Sequence, residues 1–511
     1  MKRDTNRLTD GTYDVFVIGG GIHGVAAARA AALAGYRTAL TDRSDFCGAT
    51  SANSLKILHG GLRYLQHGNL KRMRHSIRSR RAMMRLAPHL VWPLPCVMPL
   101  YGHGLRGREA LQIALWLNDF IAWDRNEGLA GDIRIPRGAL VSRSGSLKLV
   151  PHLDRKHLRG AAMWFDVLAR DTERLALAFL QSAIHHGCTA ANYAPVTEVR
   201  KGDGPYYTLT VEDRLTGRFH SVKSRFVINA AGPWFASLLP AGHSSTPNQQ
   251  HWAMGLNIVV NKRIFPTVAV GLEGSTPYTD RDALLRRGKR LFFFVPWGDH
   301  TMIGTDYRLC RESPDTFQVQ RDDIERMLEE IHHLHPRSSL SFNNVTWYHA
   351  GLLPASSDSP NESAEVQLEK NSSIVVHDQR QGAGLLSIKG VKYTTAPHIA
   401  EAAVAKVRKR LRPRKTSYSA KTETAAPSLR IDADASVVSN EVIDHFIDEE
   451  MAITLGDIVF RRTNLGAVQC PSLQTLTIVA ERMAHRLEWT PEKVRREIRH
   501  VKDRYALLQR P

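Results

Sequence analysis

The chain reads YDVFVIGGGIHG from Tyr13 to Gly24, and this stretch decides the fold. Its first half, Tyr13–Ile18, is a short apolar run rich in β-branched residues, which is typical of a buried parallel strand. Its second half spaces three glycines as GxGxxG: Gly19, Gly21 and Gly24. That spacing, directly after a strand, predicts the start of a dinucleotide-binding unit.

Each glycine of the motif has its own physical role. Gly19 permits the tight turn, Gly21 lets a pyrophosphate approach the backbone, and Gly24 lets the next helix pack closely on the strand. Val25–Gly35 has the alanine-rich composition of that helix, whose N-terminus offers unpaired N–H groups to the phosphates. Asp42 ends the second apolar strand, where it can accept hydrogen bonds from a ribose diol.

The segment after the second strand favours FAD over NAD. Residues 47–65 read CGATSANSLKILHGGLRYL, a run of small and hydroxyl residues that suits a chain passing closely under a planar ring. Two later segments agree, because Phe226–Gly232 ends an apolar strand in small residues and Gly382–Thr395 brackets another strand with glycines. The flavin site therefore draws on the start, middle and end of the chain, which predicts a discontinuous FAD-binding domain with a second domain inserted in it.

The composition fits a globular protein of two or three domains. The chain has 511 residues, of which 43% are hydrophobic and 23% charged. Its five cysteines are scattered without a CxxC pair, which indicates a reducing, cytoplasmic compartment and no metal site. The chain begins without a secretion signal and has no run of about 18 apolar residues, so we expect any membrane contact to be peripheral.

The net charge of +19 indicates an anionic partner. Neither zinc-finger spacing nor an RNA-binding aromatic pattern is present in the sequence, so we expect no nucleic acid partner. A small anionic substrate and the anionic inner face of the cytoplasmic membrane remain as candidate partners. The sequence leaves the oligomeric state open, and a homo-oligomer is compatible with it.

At these motifs the chain resembles the FAD-dependent (aerobic, quinone-linked) glycerol-3-phosphate dehydrogenases. The resemblance covers nearly the whole chain, and HGGLRYL and EMAxTLxDxxxRRTxLG are its specific patterns. The matching segments are GGGIHG at 19–24, TSANSLKILHGGLRYLQ at 50–66, NAAGPW at 229–234, IGTD at 303–306, KGVKYTT at 389–395 and EEMAITLGDIVFRRTNLG at 449–466.

The resemblance implies an oxidation that belongs to glycerol metabolism. A secondary alcohol on a phosphorylated three-carbon substrate loses a hydride to flavin N5 and a proton to a base. Glycerol 3-phosphate then becomes dihydroxyacetone phosphate, and the electrons pass to membrane quinone.

The resemblance also implies the α/β architecture. A Rossmann-like, discontinuous FAD-binding domain carries an inserted α+β antiparallel-sheet substrate domain and is followed by a C-terminal helical domain. In the last of these, Arg461 and Arg462 are expected to form structural ion pairs with the acidic run Asp448–Glu450. The expected ranges are 1–85, 155–240 and 345–410 for the FAD-binding domain, 86–154 and 241–344 for the substrate domain, 411–427 for a linker and 428–511 for the helical domain.

Site residues follow from the same resemblance. Arg63, Tyr64 and Lys392 match substrate-pocket positions, and Lys392 can steady a substrate charge or a reduced flavin. His59 is a candidate for the catalytic base because it adjoins them in sequence, and His349 and Tyr393 are alternatives on the same ground. The residues expected to contact FAD are Gly19, Gly21, Gly24, Asp42, Thr50, Ser51, Ser54, Gly232, Gly390, Lys392 and Thr394.

Three positions depart from the family's pattern. Leu353 stands where the family has an arginine in a G-x-R-P stretch, and Asn257 stands where it has a histidine. A second substrate arginine falls near Asn371–Ser373, which contains none. Forked guanidinium groups bind a phosphate dianion well, at about 1.5–3 kcal/mol per charged hydrogen bond. A different hydroxy or amino substrate is therefore the alternative, and a flavin-bound pseudoenzyme is the third hypothesis.

Two segments bear on membrane contact. Lys71–Arg85 has seven basic residues in fifteen, and we interpret it as a solvated helix face with one apolar side rather than a lipid-facing patch. Leu111–Trp123 is an aromatic-rich amphipathic helix. We expect it to be buried between domains, with a place in the membrane interface as the alternative.

Overall fold

Two β-sheets, named Sheet A and Sheet B, and a C-terminal group of helices make up the computed structural model. The glycine-rich turn lies where the sequence predicts it. The first strand, β1, spans Tyr13–Ile18 as predicted, whereas helix α1 spans Ile22–Leu33 and begins three residues earlier than predicted, with Gly21 as its N-cap. The structure describes residues 1–101, 107–151, 153–240, 251–279, 287–356, 366–378, 383–413 and 438–509.

Sheet A is the eight-stranded sheet of the dinucleotide-binding part. Its strands are β1, β2 (Thr38–Thr41), β7 (Thr189–Ala191), β8 (Val196–Lys201), β9 (Tyr207–Asp213), β10 (Arg218–Asn229), β16 (Ser373–Asp378) and β17 (Gly384–Lys389). The main path runs β16-β17-β10-β1-β2-β7, and its strands from β17 to β7 are parallel. In register, Ile18 lies beside Asn229, and Asn229 lies beside Ser387. The glycine turn after β1 and the two later predicted flavin segments therefore meet at the carboxyl edge of this sheet.

Close helix packing on Sheet A depends on small side chains. α1 contacts both α5 (Thr172–His185) and α7 (Ala396–Arg408), and five of its six alanines are buried. A Cβ added at Gly24 would lie 1.8 Å from the carbonyl oxygen of Gly19. The third glycine of the motif is therefore required by the contact between α1 and the turn after β1.

Sheet B is a nine-stranded sheet that is antiparallel except where β12 pairs with β4. Its strands are β3 (Ile57–Leu58), β4 (Trp92–Tyr101), β5 (Ala139–Val141), β6 (Leu158–Leu168), β11 (Trp252–Val260), β12 (Ala269–Thr279), β13 (Arg287–Trp297), β14 (His300–Cys310) and β15 (Val345–Pro354). The main path runs β15-β11-β14-β13-β12-β4-β6-β3, with β5 beside β6. This confirms the expected antiparallel sheet next to the Rossmann-like part.

The change from one sheet to the other does not coincide with two of the predicted domain borders. β6 pairs with β4 and β15 pairs with β11, although residues 155–240 and 345–410 were expected to belong to the FAD-binding domain. A strand pattern shows which face of a strand is buried but not which sheet the strand joins. The pairing therefore places β6 and β15 in Sheet B, and the other borders stay predictions.

The remaining helices of the first 413 residues are α2 (Leu70–Leu86), α3 (Arg108–Ile121), α4 (Arg143–Leu149) and α6 (Arg321–Leu334). The apolar side of α2 is buried as expected, but its Arg80 is buried too. α3 differs from the expectation that it is covered. Trp116, Phe120 and the following Trp123 are 66%, 78% and 78% exposed, while Leu115 is buried. Among the described residues, no helix has both the length and the apolarity to span a bilayer.

The C-terminal helices bind to the loop just before the flavin segment through a buried ion pair. Arg462 is fully buried, and its guanidinium donates to the carboxylate of Asp45 and, at 2.6 Å, to the carbonyl oxygen of Glu450. Arg461 donates to Asp45 and to Asp457. The expected contact with the acidic run is thus present only at Glu450, and Asp45 is the main partner. The helices are α8 (Asn440–Glu450), α9 (Leu455–Asp457), α10 (Leu473–Leu487), α11 (Pro491–Asp503) and α12 (Ala506–Gln509).

We predict that Arg462→Met lowers the free energy of unfolding by about 3 kcal/mol, measured by denaturant titration of the holoenzyme. The substitution leaves the buried Asp45 carboxylate with Arg461 as its remaining guanidinium partner, which limits the loss. The matched control is Arg486→Met, since Arg486 pairs with the half-exposed Asp448. It should cost about 1 kcal/mol or less. Equal losses in the two variants would contradict a structural role for the buried pair.

Candidate active site

A cavity of about 1720 Å³ lies between the carboxyl edge of Sheet A and one face of Sheet B. Small-ligand pockets are usually about 300–1,000 Å³, so this one has room for a dinucleotide together with a second molecule. It is lined by all three segments that the sequence singled out. The residues expected to contact FAD line it as well, except Gly24, which lies behind the turn and packs α1 on the sheet.

The dinucleotide end of the cavity is shaped by backbone. Gly19 has a φ of +97°, and a Cβ there would lie 2.7 Å from the carbonyl oxygen of Ala230. Asp42 accepts a hydrogen bond of 2.6 Å from the backbone N–H of Gly20, so it braces the turn as well as facing the cavity. The N-terminus of α1 opens into the cavity beside Ser51. A glycine cradle at a helix N-terminus fits the pyrophosphate of FAD.

The hydroxyl residues of the flavin segment connect the two sheets. Thr50 donates a hydrogen bond of 3.0 Å to the carbonyl oxygen of Leu352 on β15. Ser51 accepts one of 3.0 Å from the backbone N–H of Ile22 on α1. Ser54 accepts one of 3.2 Å from the backbone N–H of Lys56. The segment therefore forms a continuous wall between α1 and Sheet B.

A cationic group also lines the cavity. The Lys392 ammonium donates a hydrogen bond of 2.5 Å to the hydroxyl oxygen of Tyr64, and the Arg72 guanidinium lies 4.5 Å from the centre of the same ring. Burial raises the pKa of the Tyr64 phenol, but Lys392 and Arg72 outweigh it and the pKa is lowered. Arg63 lies in the same turn, and its side chain is outside the described part of the chain.

His59 faces this cavity and is tied to a carboxylate that sequence reasoning missed. Its Nδ1 lies 3.0 Å from Oδ2 of Asp166 on β6, and 47% of its side chain is exposed. Asp166 is buried and also pairs with Arg80 at 2.9 Å. The sequence does contain a signal for this contact, namely a carboxylate within the apolar strand of residues 158–168. A buried charge requires partners, so such a residue indicates a polar contact.

Comparison with known proteins places this arrangement in a family. Residues 14–405 match the family model described as FAD dependent oxidoreductase. The chain is 30% identical over 420 residues to a glycerol-3-phosphate dehydrogenase of Synechocystis sp., an alignment that covers 80% of this chain and 72% of the relative. The chain belongs to the FAD-dependent oxidoreductases, within the glycerol-3-phosphate dehydrogenases. It is an enzyme, and its cofactor is FAD.

Other members of the family agree with this assignment. The chain is 29% identical over 403 residues to the aerobic glycerol-3-phosphate dehydrogenase of Escherichia coli, covering 78% of this chain and 73% of that one. Its fold is also that of the Bacillus halodurans glycerol-3-phosphate dehydrogenase solved with FAD. That comparison has a TM-score of 0.71 at 20% identity and covers 98% of this chain and 96% of the other.

The alternative candidates for the base do not face the cavity with a free group. His349 is buried away from the cavity beside Lys56, and burial first, then Lys56, lowers its pKa well below the ordinary range. The hydroxyl of Tyr393 donates a hydrogen bond of 2.6 Å to the carbonyl oxygen of Thr172, and burial raises the pKa of this phenol.

Two of the three departures from the family pattern, Asn257 and Leu353, have defined surroundings in the cavity region. Asn257 is buried, and its amide oxygen accepts a hydrogen bond of 2.7 Å from Thr305. Leu353 lines the cavity near Gly255 and Tyr307. The cavity wall beside Gly255 therefore carries an aliphatic side chain at this position.

We predict that Gly21→Ala weakens FAD binding at least tenfold, or about 1.4 kcal/mol, while the fold is retained. The added methyl group meets Ser51 at 3.0 Å, at the place where the pyrophosphate approaches the backbone. FAD affinity is measured by titrating the apoenzyme and following flavin fluorescence, with circular dichroism as the check on folding. Gly131→Ala is the control, because nothing lies within 4 Å of its added Cβ. Unchanged affinity in Gly21→Ala would show that the phosphates do not lie against this glycine.

Proposed function

We propose that the enzyme oxidises sn-glycerol 3-phosphate to dihydroxyacetone phosphate and passes the electrons to quinone. One arrangement carries the proposal: His59 and the Tyr64–Lys392 pair face the same cavity as the dinucleotide-binding turn. Oxidation of an alcohol on a phosphorylated substrate requires a base for the hydroxyl proton and cations for the phosphate. His59 supplies the base, and Lys392 and Arg72 supply the cations.

The chain's own residues then have defined tasks. FAD, when bound, accepts the carbinol hydrogen with two electrons. Lys392 and Arg72 hold the phosphate, and Tyr64 keeps the ammonium of Lys392 in place. Nε2 of His59 accepts the hydroxyl proton while the substrate's C–H bond breaks and its C=O bond forms. Arg63 stays a candidate for a further cation of the substrate site only by its match to the family's pocket.

We predict that anaerobic titration with sub-millimolar sn-glycerol 3-phosphate bleaches the flavin absorbance of the purified enzyme. His59→Gln should slow this reduction about 100- to 10,000-fold while FAD content stays unchanged, because general base catalysis contributes that much. Dithionite should still reduce the flavin of the variant. His332→Gln is the control, since His332 is exposed on α6 outside the cavity. A His59→Gln variant as fast as the wild type would exclude His59 as the base.

Leu353 favours a second candidate function, the oxidation of a different hydroxy or amino substrate. It lines the cavity at the position where the family pattern has an arginine, and the buried Asn257 has its amide oxygen occupied by Thr305. The same titration separates the candidates. A flavin that glycerol 3-phosphate leaves oxidised but another alcohol or amine bleaches supports the second candidate. A flavin that only dithionite reduces supports the pseudoenzyme hypothesis.

We further propose that α3 binds the enzyme to the anionic inner face of the cytoplasmic membrane, where quinone is available. Its exposed face carries Trp116 and Phe120, and its other face lines the cavity with Leu111 and Leu115. An apolar quinone could thus pass from the bilayer along α3 towards the flavin. The neighbouring α2 exposes basic residues, including Lys71, that complement anionic headgroups.

We predict that the double variant Trp116→Glu/Phe120→Glu no longer co-sediments with phosphatidylglycerol-containing vesicles. Two exposed aromatic side chains that are proposed to enter the membrane interface are replaced by charges that anionic lipid repels. Reduction of a soluble dye should be unchanged, whereas reduction of quinone in the vesicles should fall. Phe219→Glu is the control, because Phe219 is 65% exposed on β10, in Sheet A. Vesicle binding that resists the double substitution would rule out α3 as the contact surface.

A further inference from the structure

We propose that Asp166, held by Arg80, is a positioning residue that fixes the tautomer and orientation of His59 for proton transfer. The inference rests on the proposed role of His59 as the base and adds two residues that act through it. Neither was predicted from the sequence, since Asp166 and His59 are 107 positions apart.

The Asp166 carboxylate receives four hydrogen bonds from protein groups. Oδ2 faces Nδ1 of His59 at 3.0 Å and accepts from Nε1 of Trp164 at 3.2 Å. Oδ1 accepts from the backbone N–H of Gly60 at 2.6 Å and from Nη1 of Arg80 at 2.9 Å. Two donors on each oxygen leave the carboxylate little freedom to rotate, so its direction towards His59 is set by the fold.

This contact decides which nitrogen of His59 carries the proton. An ionised carboxylate only accepts hydrogen bonds, so Nδ1 of His59 must be the N–H that donates to it. In the neutral ring the lone pair is then on Nε2. His59 lines the cavity and is half exposed, so a lone pair on Nε2 serves a base that works on a bound substrate.

Asp166 stays ionised despite its burial. Burial raises the pKa of this carboxyl, but the hydrogen bond and charge of His59, the charge of Arg80 and the Gly60 N–H together lower it to about 2. A negative charge therefore faces His59 throughout the working pH range. It stabilises the imidazolium that forms when His59 takes up the substrate's proton.

The two glycines after His59 have a physical reason in this network. A Cβ added at Gly60 would lie 2.6 Å from Nη1 of Arg80, so only glycine lets this guanidinium reach Asp166. Gly61 has a φ of +93°, and a Cβ there would lie 2.6 Å from the ring of Tyr64. The His-Gly-Gly pattern thus lets the base and the substrate-binding tyrosine share one turn, and lets Arg80 and the carboxylate of Asp166 on β6 approach it.

Other groups around His59 do not supply this charge. Trp164 and Asp166 face it from β6, and the Phe293 ring on β13 lies 6.0 Å away. Arg80 on α2 pairs with Oδ1 of Asp166, the oxygen that does not face His59, and Cys96 on β4 is a buried thiol. Lys392 and the phenol of Tyr64 line the same cavity. Among the described residues, Asp166 is thus the ionised group in direct contact with the imidazole.

The test is the rate of flavin reduction by substrate as a function of pH, in stopped-flow experiments on the holoenzyme. Asp166→Asn should lower the limiting rate about 100-fold or more, since an amide can impose the wrong tautomer. The acid limb of the pH–rate profile of this variant should move to lower pH. The imidazolium loses a neighbouring negative charge and therefore gives up its proton more easily. A merely structural role would lower FAD content or thermal stability and leave the acid limb in place.

Two further variants separate the effect of the charge from the effect of the geometry. Asp166→Glu keeps the charge and lengthens the side chain, so the limiting rate should fall while the acid limb stays near that of the wild type. Trp164→Phe removes one neutral donor and should change the rate less than tenfold. These two variants also test the inference if Asp166→Asn loses its FAD.

A double-mutant cycle with His59→Gln shows whether Asp166 acts through His59. Asp166→Asn should cost little more in the His59→Gln background. The inference is overturned if Asp166→Asn slows reduction equally in both backgrounds, or if its acid limb does not move. A wild-type rate in His59→Gln alone would instead overturn the proposed role of the histidine. The two failures are therefore distinguishable.

Discussion

The contact between Asp45 and the guanidinium groups of Arg461 and Arg462 is the interaction on which the flavin cavity depends. Removing three charges from water is costly, and only close, forked pairing offsets that cost. Burial raises the pKa of Asp45, but the two arginines outweigh it and keep the carboxyl ionised. The C-terminal helices therefore support the cofactor site from behind, although the lining residues all lie between Ile18 and Thr395.

Two more buried ion pairs follow along the same segment. Lys56 pairs with Glu173 of α5 at 2.6 Å, and the turn at His59 is held by Asp166 together with Arg80. The segment itself has little regular structure, since its strand β3 has two residues. Its shape is thus held by charges on surrounding elements together with a few local backbone hydrogen bonds, such as the one from Asn53 to Thr50. This suits a wall that must present hydroxyl groups to a cofactor on one side and a histidine to a substrate on the other.

The substrate side of the cavity is where this chain differs most from its family's pattern. Leu353 places an aliphatic group where an arginine is expected, whereas Lys392, Tyr64 and Arg72 retain a cationic wall. The cofactor end and the substrate end of the cavity thus depend on different structural features. The first is backbone geometry at glycines, which tolerates little change. The second is a set of side chains from separate elements: Leu353 on β15, Arg72 on α2, Tyr64 in the turn after His59 and Lys392 after β17.

The sequence by itself determined the cofactor, the strand β1, the glycine turn and ten residues that line the cavity among those expected to contact FAD. These features follow from steric requirements within a few tens of residues, as at Gly19, so a local pattern is enough to reveal them. Only the tertiary structure decided that β6 and β15 join Sheet B, that the apolar face of α3 is uncovered, and that His59 meets Asp166. The physical reason is that burial and charge pairing depend on residues far apart in the chain, as with Asp45 and Arg462, 417 positions from each other.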